Sequence, residues 1–162
     1  MTPLVVRAPL SGVVTALAAV PDPVFAGELV GPGLAIDPTR ETGEGKGEGD
    51  GEVNVAAPID GTIVKVHPHA FLVAGSDGRA VLVHLGLDTV QLRGAGFTVL
   101  AAEGDRVSAG DVVVTWHPTE VEAGGRSPVC PVIALEAAAG AVAPLADVGS
   151  TVAAGAPLFT WD

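Results

Sequence analysis

Short apolar runs alternate with turn residues along most of the chain. The runs are rich in Val, Ile and Leu, and Gly (22 residues) and Pro (13 residues) separate them. Runs of this length and composition between turn residues are typical of β-strands, whereas a helix needs apolar positions spaced by three and four over about a dozen residues. The pattern predicts strands at 53–57, 61–67, 80–87, 111–116 and 129–135.

One segment departs from this pattern. Thr119-Glu120-Val121-Glu122 follows Pro118 and has the form of a capping box, Ser/Thr-x-x-Glu. It predicts one short helix near 119–124 in a chain that is otherwise all-β.

Two sequence motifs occur twice. The segment 8–14, Ala-Pro-Leu-Ser-Gly-Val-Val, has a counterpart at 57–63, and the segment 104–111 has one at 149–156. Each repeat places Gly at fixed turn positions beside an apolar strand, as expected where the backbone needs a positive φ. The repeats predict a compact β-sandwich or barrel built on a duplicated hairpin motif. Because 162 residues suffice for one core, we expect a single domain over 1–162.

The segment 37–52 has a different composition from the rest of the chain. It holds six acidic residues, two basic residues and five glycines, with no aliphatic or aromatic side chain. Such a segment cannot bury enough apolar surface to offset its chain entropy, so we expect a disordered surface loop.

The net charge disfavours two classes of partner. With 8 basic and 19 acidic residues the chain carries a charge of −11, which disfavours both nucleic acid and anionic membrane surfaces. No apolar run approaches the ~18 residues of a membrane span, so we expect no membrane insertion. The one cysteine, Cys130, cannot form an internal disulfide, which fits a cytoplasmic protein and a small buried side chain.

The histidines are the candidate chemical groups. Strand alternation puts His84 on one face of its strand with Leu82, and His67 and His69 also share a face. An imidazole with one nitrogen held by a backbone acceptor has a free lone pair on the other nitrogen, which suits a nucleophile toward phosphorus or a metal ligand. His117 stands at a strand end and is expected to be an ordinary packed residue.

The sequence segments around these histidines resemble those of the glucose-type IIA domain of the bacterial phosphoenolpyruvate:sugar phosphotransferase system. The specific segments are Pro-His-Ala-Phe at 68–71 and Val-His-Leu-Gly-Leu-Asp-Thr-Val-Gln-Leu at 83–92. The resemblance runs in family order from about residue 5 to the C-terminus, with further matches at 8–12, 20–26, 31–36, 57–62 and 94–97.

The resemblance implies a β-sandwich phosphocarrier. Such a protein accepts a phosphoryl group from the phosphohistidine of HPr and passes it to a cysteine of a IIB domain during sugar uptake. By position, His84 resembles the phosphorylated residue, through Nε2, and His69 the partner that hydrogen-bonds the transferred group. The Gly86 carbonyl resembles the group that holds Nδ1–H of His84. No cofactor is implied.

The resemblance also implies contacts with partner proteins. Asp22 and Asp88 match acidic residues expected to pair with a basic residue of HPr, and Phe71 is expected at the same partner-binding surface. His67 replaces a threonine that the family usually has, so a third imidazole is expected to support the phosphoryl site.

Three alternatives stay open on the sequence. The first is a swinging-arm carrier. Such a protein needs a lysine in an exposed turn, but Lys46 lies in the acidic segment and Lys65 in a predicted strand. A zinc site is the second: His67, His69 and His84 offer three possible nitrogen ligands, and zinc at His69 and His84 is expected only where a partner completes the site. The third is a regulatory module that binds target proteins through the histidine face. The sugar, either glucose or N-acetylglucosamine, and the oligomeric state are not encoded in these patterns.

Overall fold

A computed structural model describes residues 2–40 and 51–162 of the chain. Over this part the protein is built almost entirely from short strands. In chain order they are β1 (Leu4–Arg7), β2 (Gly12–Ala16), β3 (Gly33–Pro38), β4 (Val53–Ala56), β5 (Gly61–His67), β6 (Ala70–Ala74), β7 (Ala80–His84), β8 (Thr98–Val99), β9 (Arg106–Val107), β10 (Val112–Trp116), β11 (Cys130–Ala134), β12 (Val142–Pro144), β13 (Thr151–Val152) and β14 (Pro157–Trp161).

The strands form one large and two small antiparallel sheets. The large sheet has the order β13-β2-β3-β11-β7-β6-β5-β9, and the small sheets have the orders β1-β14-β12 and β4-β10-β8. The expected all-β sandwich is confirmed, and each of the five predicted strands is present, although the strand predicted at 80–87 ends at His84. The neighbours β5, β6 and β7 matter most for function, because all three histidines of interest lie at one end of these strands.

Two apolar clusters lie on opposite faces of the large sheet. The main core is between the sheets and includes Phe71, Trp116 and Phe159, each 1% exposed or less. In β7, Val81 and Val83 point into this core, while Leu82 packs against a smaller cluster that contains Phe25 and Leu87. The predicted alternation is therefore confirmed, and His84 shares the face of Leu82.

The described residues contain more helical segments than the one predicted helix. Besides α2 (Pro118–Ala123), the described residues contain α1 (Pro23–Ala26) and 3₁₀ turns at Leu17–Ala19 and Thr89–Leu92. The capping-box interpretation of α2 was wrong. The N-cap is His117 and Pro118 is the first helical residue, because the fixed φ of proline lets a helix begin at that position.

The glycines of the two repeats have different roles. Gly104 and Gly149 have φ of +93° and +91°, as expected. In the other repeat, a Cβ on Gly12 would lie 2.2 Å from the Asp37 carbonyl oxygen, and one on Gly61 would lie 2.2 Å from that of Ala74. Glycine at these two positions permits a close approach of neighbouring backbone segments. The expectation that they need a positive φ was therefore wrong.

The start of the expected loop at 37–52 is part of the fold. Asp37 and Pro38 belong to β3, and the Arg40 guanidinium bonds both carboxylate oxygens of Glu122 in α2, at 3.1 and 2.8 Å. The loop expectation was therefore wrong for 37–40, where strand pairing and this ion pair fix the chain. Residues 41–50 of the expected loop lie outside the described residues.

Helices in the described ranges are all too short to cross a lipid bilayer.

Candidate functional site

Four rings stand in a row where β5, β6 and β7 meet α1. The ring centroids of Phe25 and His84 are 5.1 Å apart, those of His84 and His69 are 5.3 Å apart, and those of His69 and His67 are 5.7 Å apart. His67 ends β5, Pro68 and His69 form the hairpin to β6, and His84 ends the adjacent β7. The sequence prediction that these three histidines share a site is consistent with this geometry.

The backbone fixes the orientation and the tautomer of His84. Its Nδ1 lies 2.6 Å from the carbonyl oxygen of Gly86. Because a carbonyl can only accept, Nδ1 carries the proton in this contact, and the neutral ring keeps its lone pair on Nε2. The arrangement therefore presents a nucleophilic nitrogen beside His69.

Burial favours the neutral form of the His84 ring. The pKa of His84 is lowered, chiefly because the half-buried ring is taken out of water. The hydrogen bond to the Gly86 carbonyl and the negative charges of Asp22 and Asp88 oppose this effect. A neutral imidazole is the form that can attack phosphorus or bind a metal.

The surroundings of His69 also favour its neutral form. Burial is the largest cause of its lowered pKa, followed by the charges that His84 and His67 carry when protonated. The neutral ring still has one N–H to donate, so His69 can hydrogen-bond an oxygen of a group attached to His84.

The Gly86 turn has little room for change. Gly86 has φ of +77°, and a Cβ there would lie 2.8 Å from Cγ2 of Thr89 and 3.0 Å from the Ser127 carbonyl oxygen. A glycine is therefore needed both for the left-handed backbone and for the close packing.

The two predicted acidic residues lie beside the site in different settings. The Asp22 side chain caps α1 by accepting a hydrogen bond from the Val24 N–H at 2.9 Å. Asp88 has a left-handed backbone (φ 59°) at the start of the 89–92 turn. Both are near enough to favour a positive charge on His84.

Phe71 does not lie on this surface. It is 1% exposed and packs in the main core, so the expectation that its ring contacts a partner was wrong. Its strand position on β6, opposite Val83, turns it away from the histidine face.

Sequence reasoning missed Phe25 and its neighbours. Phe25 covers one side of His84, whereas Val24 and Val90 are 43% and 59% exposed in the turns that carry Asp22 and Asp88. The N-cap signal Asp22-Pro23 was available in the sequence, but the contact between Phe25 and a strand almost sixty residues away was not.

The remaining nucleophile and metal candidates are less suited to chemistry. Burial raises the pKa of the Cys130 thiol to about 12, so it is not a nucleophile near neutral pH. His117 caps α2 outside the row of rings. Within 2–40 and 51–162, no three His, Cys, Asp or Glu side chains are grouped so as to hold a metal ion.

The family comparison matches most of the chain. Residues 4–140 match the family described as phosphoenolpyruvate-dependent sugar phosphotransferase system, EIIA 1. The PTS system glucose-specific EIIA component of Bacillus cereus is 36% identical over 128 residues, which cover 78% of this chain and 70% of the relative.

Two further relatives extend the comparison. The PTS system glucose-specific EIICBA component of Streptococcus pneumoniae is 42% identical over 117 residues, covering 71% of this chain and 14% of that larger protein. The solved glucose permease IIA from Mycoplasma capricolum superposes with a TM-score of 0.81 at 29% identity, covering 99% of this chain and 96% of that one.

Proposed function

Because the chain belongs to the EIIA 1 family of the phosphoenolpyruvate-dependent sugar phosphotransferase system, we propose that His84 carries the phosphoryl group of a phosphocarrier. The observation that supports this most strongly is the 2.6 Å contact between Nδ1 of His84 and the Gly86 carbonyl, which leaves Nε2 as the nucleophile. The donor is the phosphohistidine of HPr, and the acceptor is a cysteine of a IIB domain.

Each transfer exchanges one bond to phosphorus for another. In the first, the lone pair of Nε2 attacks the phosphorus, the new N–P bond forms, and the old P–N bond returns its electron pair to the HPr imidazole. In the second, a IIB thiolate attacks, and the electron pair of the N–P bond returns to Nε2 of His84. Such transfers depend mainly on alignment and on stabilising charge on the phosphoryl oxygens.

His69 supplies that stabilisation in our proposal. Its ring centroid lies 5.3 Å from that of His84 in an edge-on arrangement, so an N–H can be directed at a phosphoryl oxygen on Nε2. His67 supports His69 from the other side, at 5.7 Å between centroids. Phe25 limits access of water to the His84 ring.

The rim of the site suits a basic partner with an apolar contact surface. Asp22 and Asp88 supply negative charge next to His84, and the exposed Val24 and Val90 supply apolar area. We propose that HPr and the IIB domain dock here in turn, the acidic residues facing a cation of HPr.

The names of the relatives support a glucose-type transporter as the system that this chain serves. The B. cereus and S. pneumoniae relatives are both called glucose-specific. The second name joins C, B and A components in one protein, which supports a IIB domain as the acceptor.

The two half-reactions separate the roles of the histidines. The resemblance to the family implies that His69→Gln still accepts a phosphoryl group from phospho-HPr but transfers it to IIB more slowly. We expect a loss of about 100-fold or more in that second step, because glutamine weakens the hydrogen bond to the phosphoryl group as it leaves Nε2. His117→Gln is the matched control and should retain both transfers. Equal rates of both half-reactions in His69→Gln and the wild type would remove His69 from the mechanism.

A shared metal stays a prediction of the sequence. Two neutral imidazoles at His69 and His84 supply at most two ligands, so we propose that zinc binds there only when a partner protein adds another ligand. Equilibrium dialysis with Zn²⁺ should then show weak binding by the isolated chain. Tight stoichiometric binding by the chain alone would contradict the partner requirement.

Regulatory target proteins stay a prediction as well. A dianionic phosphoryl group on His84 would be costly to bury against an apolar partner surface. We therefore propose that any regulatory partner using this face binds the unphosphorylated form, and equal affinity for both forms would contradict it.

A further inference from the structure

Thr89 is a polar side chain buried next to the site and given no role so far. It is 1% exposed, and with Thr115 it is one of two buried polar residues in the described part of the chain. Its hydroxyl donates a hydrogen bond to the Leu85 carbonyl oxygen at 2.6 Å. Leu85 lies between His84 and Gly86, so Thr89 holds the peptide next to the reacting ring.

The Thr89 methyl group makes a second contact with the same turn. It is the Cγ2 atom that a Cβ on Gly86 would meet at 2.8 Å, so it lies directly over the glycine. One side chain therefore fixes the turn by a hydrogen bond on one side of Gly86 and by packing on the other.

The rest of the turn is held by backbone hydrogen bonds and by a contact between the Gly86 backbone and the Cys130 thiol. The Leu85 N–H donates to the carbonyl of His69 at 2.7 Å, and the Leu87 N–H donates to that of Ser127 at 2.9 Å. The pairing of β7 with β11 ends at Val83, so it supplies no donor to the Leu85 carbonyl. The Thr89 hydroxyl supplies that donor, and the Gly86 carbonyl remains directed at Nδ1 of His84.

We propose that Thr89 is a positioning residue for phosphoryl transfer: by fixing the peptide at 85–86 it keeps the Gly86 carbonyl on Nδ1 of His84, and so keeps the lone pair on Nε2. This inference rests on the proposed role of His84. Without the hydroxyl, the buried Leu85 carbonyl has no donor, and the turn rotates to reach water. The Gly86 carbonyl then leaves Nδ1, and the ring populates the tautomer that has its proton on Nε2 and cannot attack.

The first test is spectroscopic and uses the unphosphorylated full chain. Imidazole ¹⁵N signals distinguish the two tautomers of a neutral histidine. We expect wild type and Thr89→Ser to show His84 protonated at Nδ1, and Thr89→Val, which keeps the shape but loses the hydroxyl, to show a mixture. Thr115→Val is the matched control, because it removes the other buried threonine hydroxyl, far along the chain in β10.

The second test is the rate of phosphoryl acceptance from phospho-HPr. We expect Thr89→Val to lower kcat/KM about 10-fold, within the range caused by small displacements of a catalytic group, and Thr89→Ser and Thr115→Val to stay near the wild-type rate. A Thr89→Val protein with an unchanged tautomer and rate would overturn the inference.

The outcomes separate this inference from the proposed function. If His84→Gln is still phosphorylated at the wild-type rate, the assignment of His84 fails whatever Thr89 does. If His84→Gln is not phosphorylated but Thr89→Val keeps the wild-type tautomer and rate, only the positioning role of Thr89 fails. If Thr89→Val does not fold, hydrogen exchange tests the same hydrogen bond. We then expect the hydroxyl proton at position 89 to be protected from solvent exchange both in the wild type and in Thr89→Ser. A rapidly exchanging hydroxyl proton would contradict it.

Discussion

The rings of His67 and His69 lie 5.7 Å apart at an interplanar angle of 25°, but their surroundings differ. His67 is exposed at the end of β5, whereas His69 is half-buried between His67 and His84. A proton on His67 therefore repels one on His69. Burial is still the main reason for the lowered pKa of His69, and His67 adds to it.

Replacing His67 should change the titration of its neighbour. We expect His67→Thr to raise the pKa of His69, because the repulsion between protons on the two rings is removed, while burial keeps the pKa of His69 below the usual range. Titration of the His69 ring signals by NMR measures this directly. A fall in the pKa of His69 would contradict the charge argument, and His117→Gln is the control that should leave it unchanged.

Single residues also show what the sequence could and could not predict. The resemblance of 83–92 assigned His84, and the alternation of β7 placed it on the correct face, because both depend on neighbours in sequence. Phe25 and Thr89 escaped notice, since their roles depend on contacts made through the fold. Phe71 was misassigned because its match to the family says nothing about the face of β6 on which it lies.

The turn after β7 is the element that orients the His84 ring. It carries Gly86, with φ of +77°, and is enclosed by Thr89 and the Ser127 carbonyl. The short apolar runs predicted the strands on either side, but the dense packing of this turn comes from the segment before β11 and from the 89–92 turn. That packing is a tertiary effect, which a pattern of apolar residues does not contain.

Two alanine substitutions separate backbone strain from packing at this turn. Gly78 has φ of +88°, and a Cβ added there would meet no atom within 4 Å, so Gly78→Ala should cost only the left-handed strain, about 1 kcal/mol. Gly86→Ala has similar strain and also clashes with Thr89, so we expect about 1–3 kcal/mol more. Urea unfolding of both variants measures the difference, and equal losses would refute the packing argument.

The first and last strands of the described chain lie next to each other. β1 pairs with β14, and the Arg79 guanidinium donates to the carbonyls of Trp161 and Thr2 at 2.5 and 2.8 Å. The repeats predicted an internally duplicated sandwich, which the sheets bear out. They could not predict this closure, because pairing between segments at opposite ends of the chain depends on how all intervening strands are arranged.

The lowered pKa values of His69 and His84 make folding stability depend on pH. In the unfolded chain a histidine titrates near pH ~6.5, so below that pH the unfolded state binds protons that the folded state resists. We expect the free energy of unfolding to fall as the pH drops from about 7.5 to about 5.5, and His84→Gln to lose less over the same range. Urea titrations of both proteins measure this, and a stability that rises toward the acidic end would contradict it.

The proposed mechanism depends above all on His84 being the phosphorylated residue. Incubating the chain with phosphoenolpyruvate, enzyme I and HPr, and then measuring its intact mass, tests it most directly. We predict one added phosphoryl group that is lost in acid and does not form on His84→Gln, with His117→Gln labelled like the wild type. An unmodified wild-type mass beside fully phosphorylated HPr, or a phosphoryl group that persists in His84→Gln, would contradict the assignment of His84 as the phosphorylated residue.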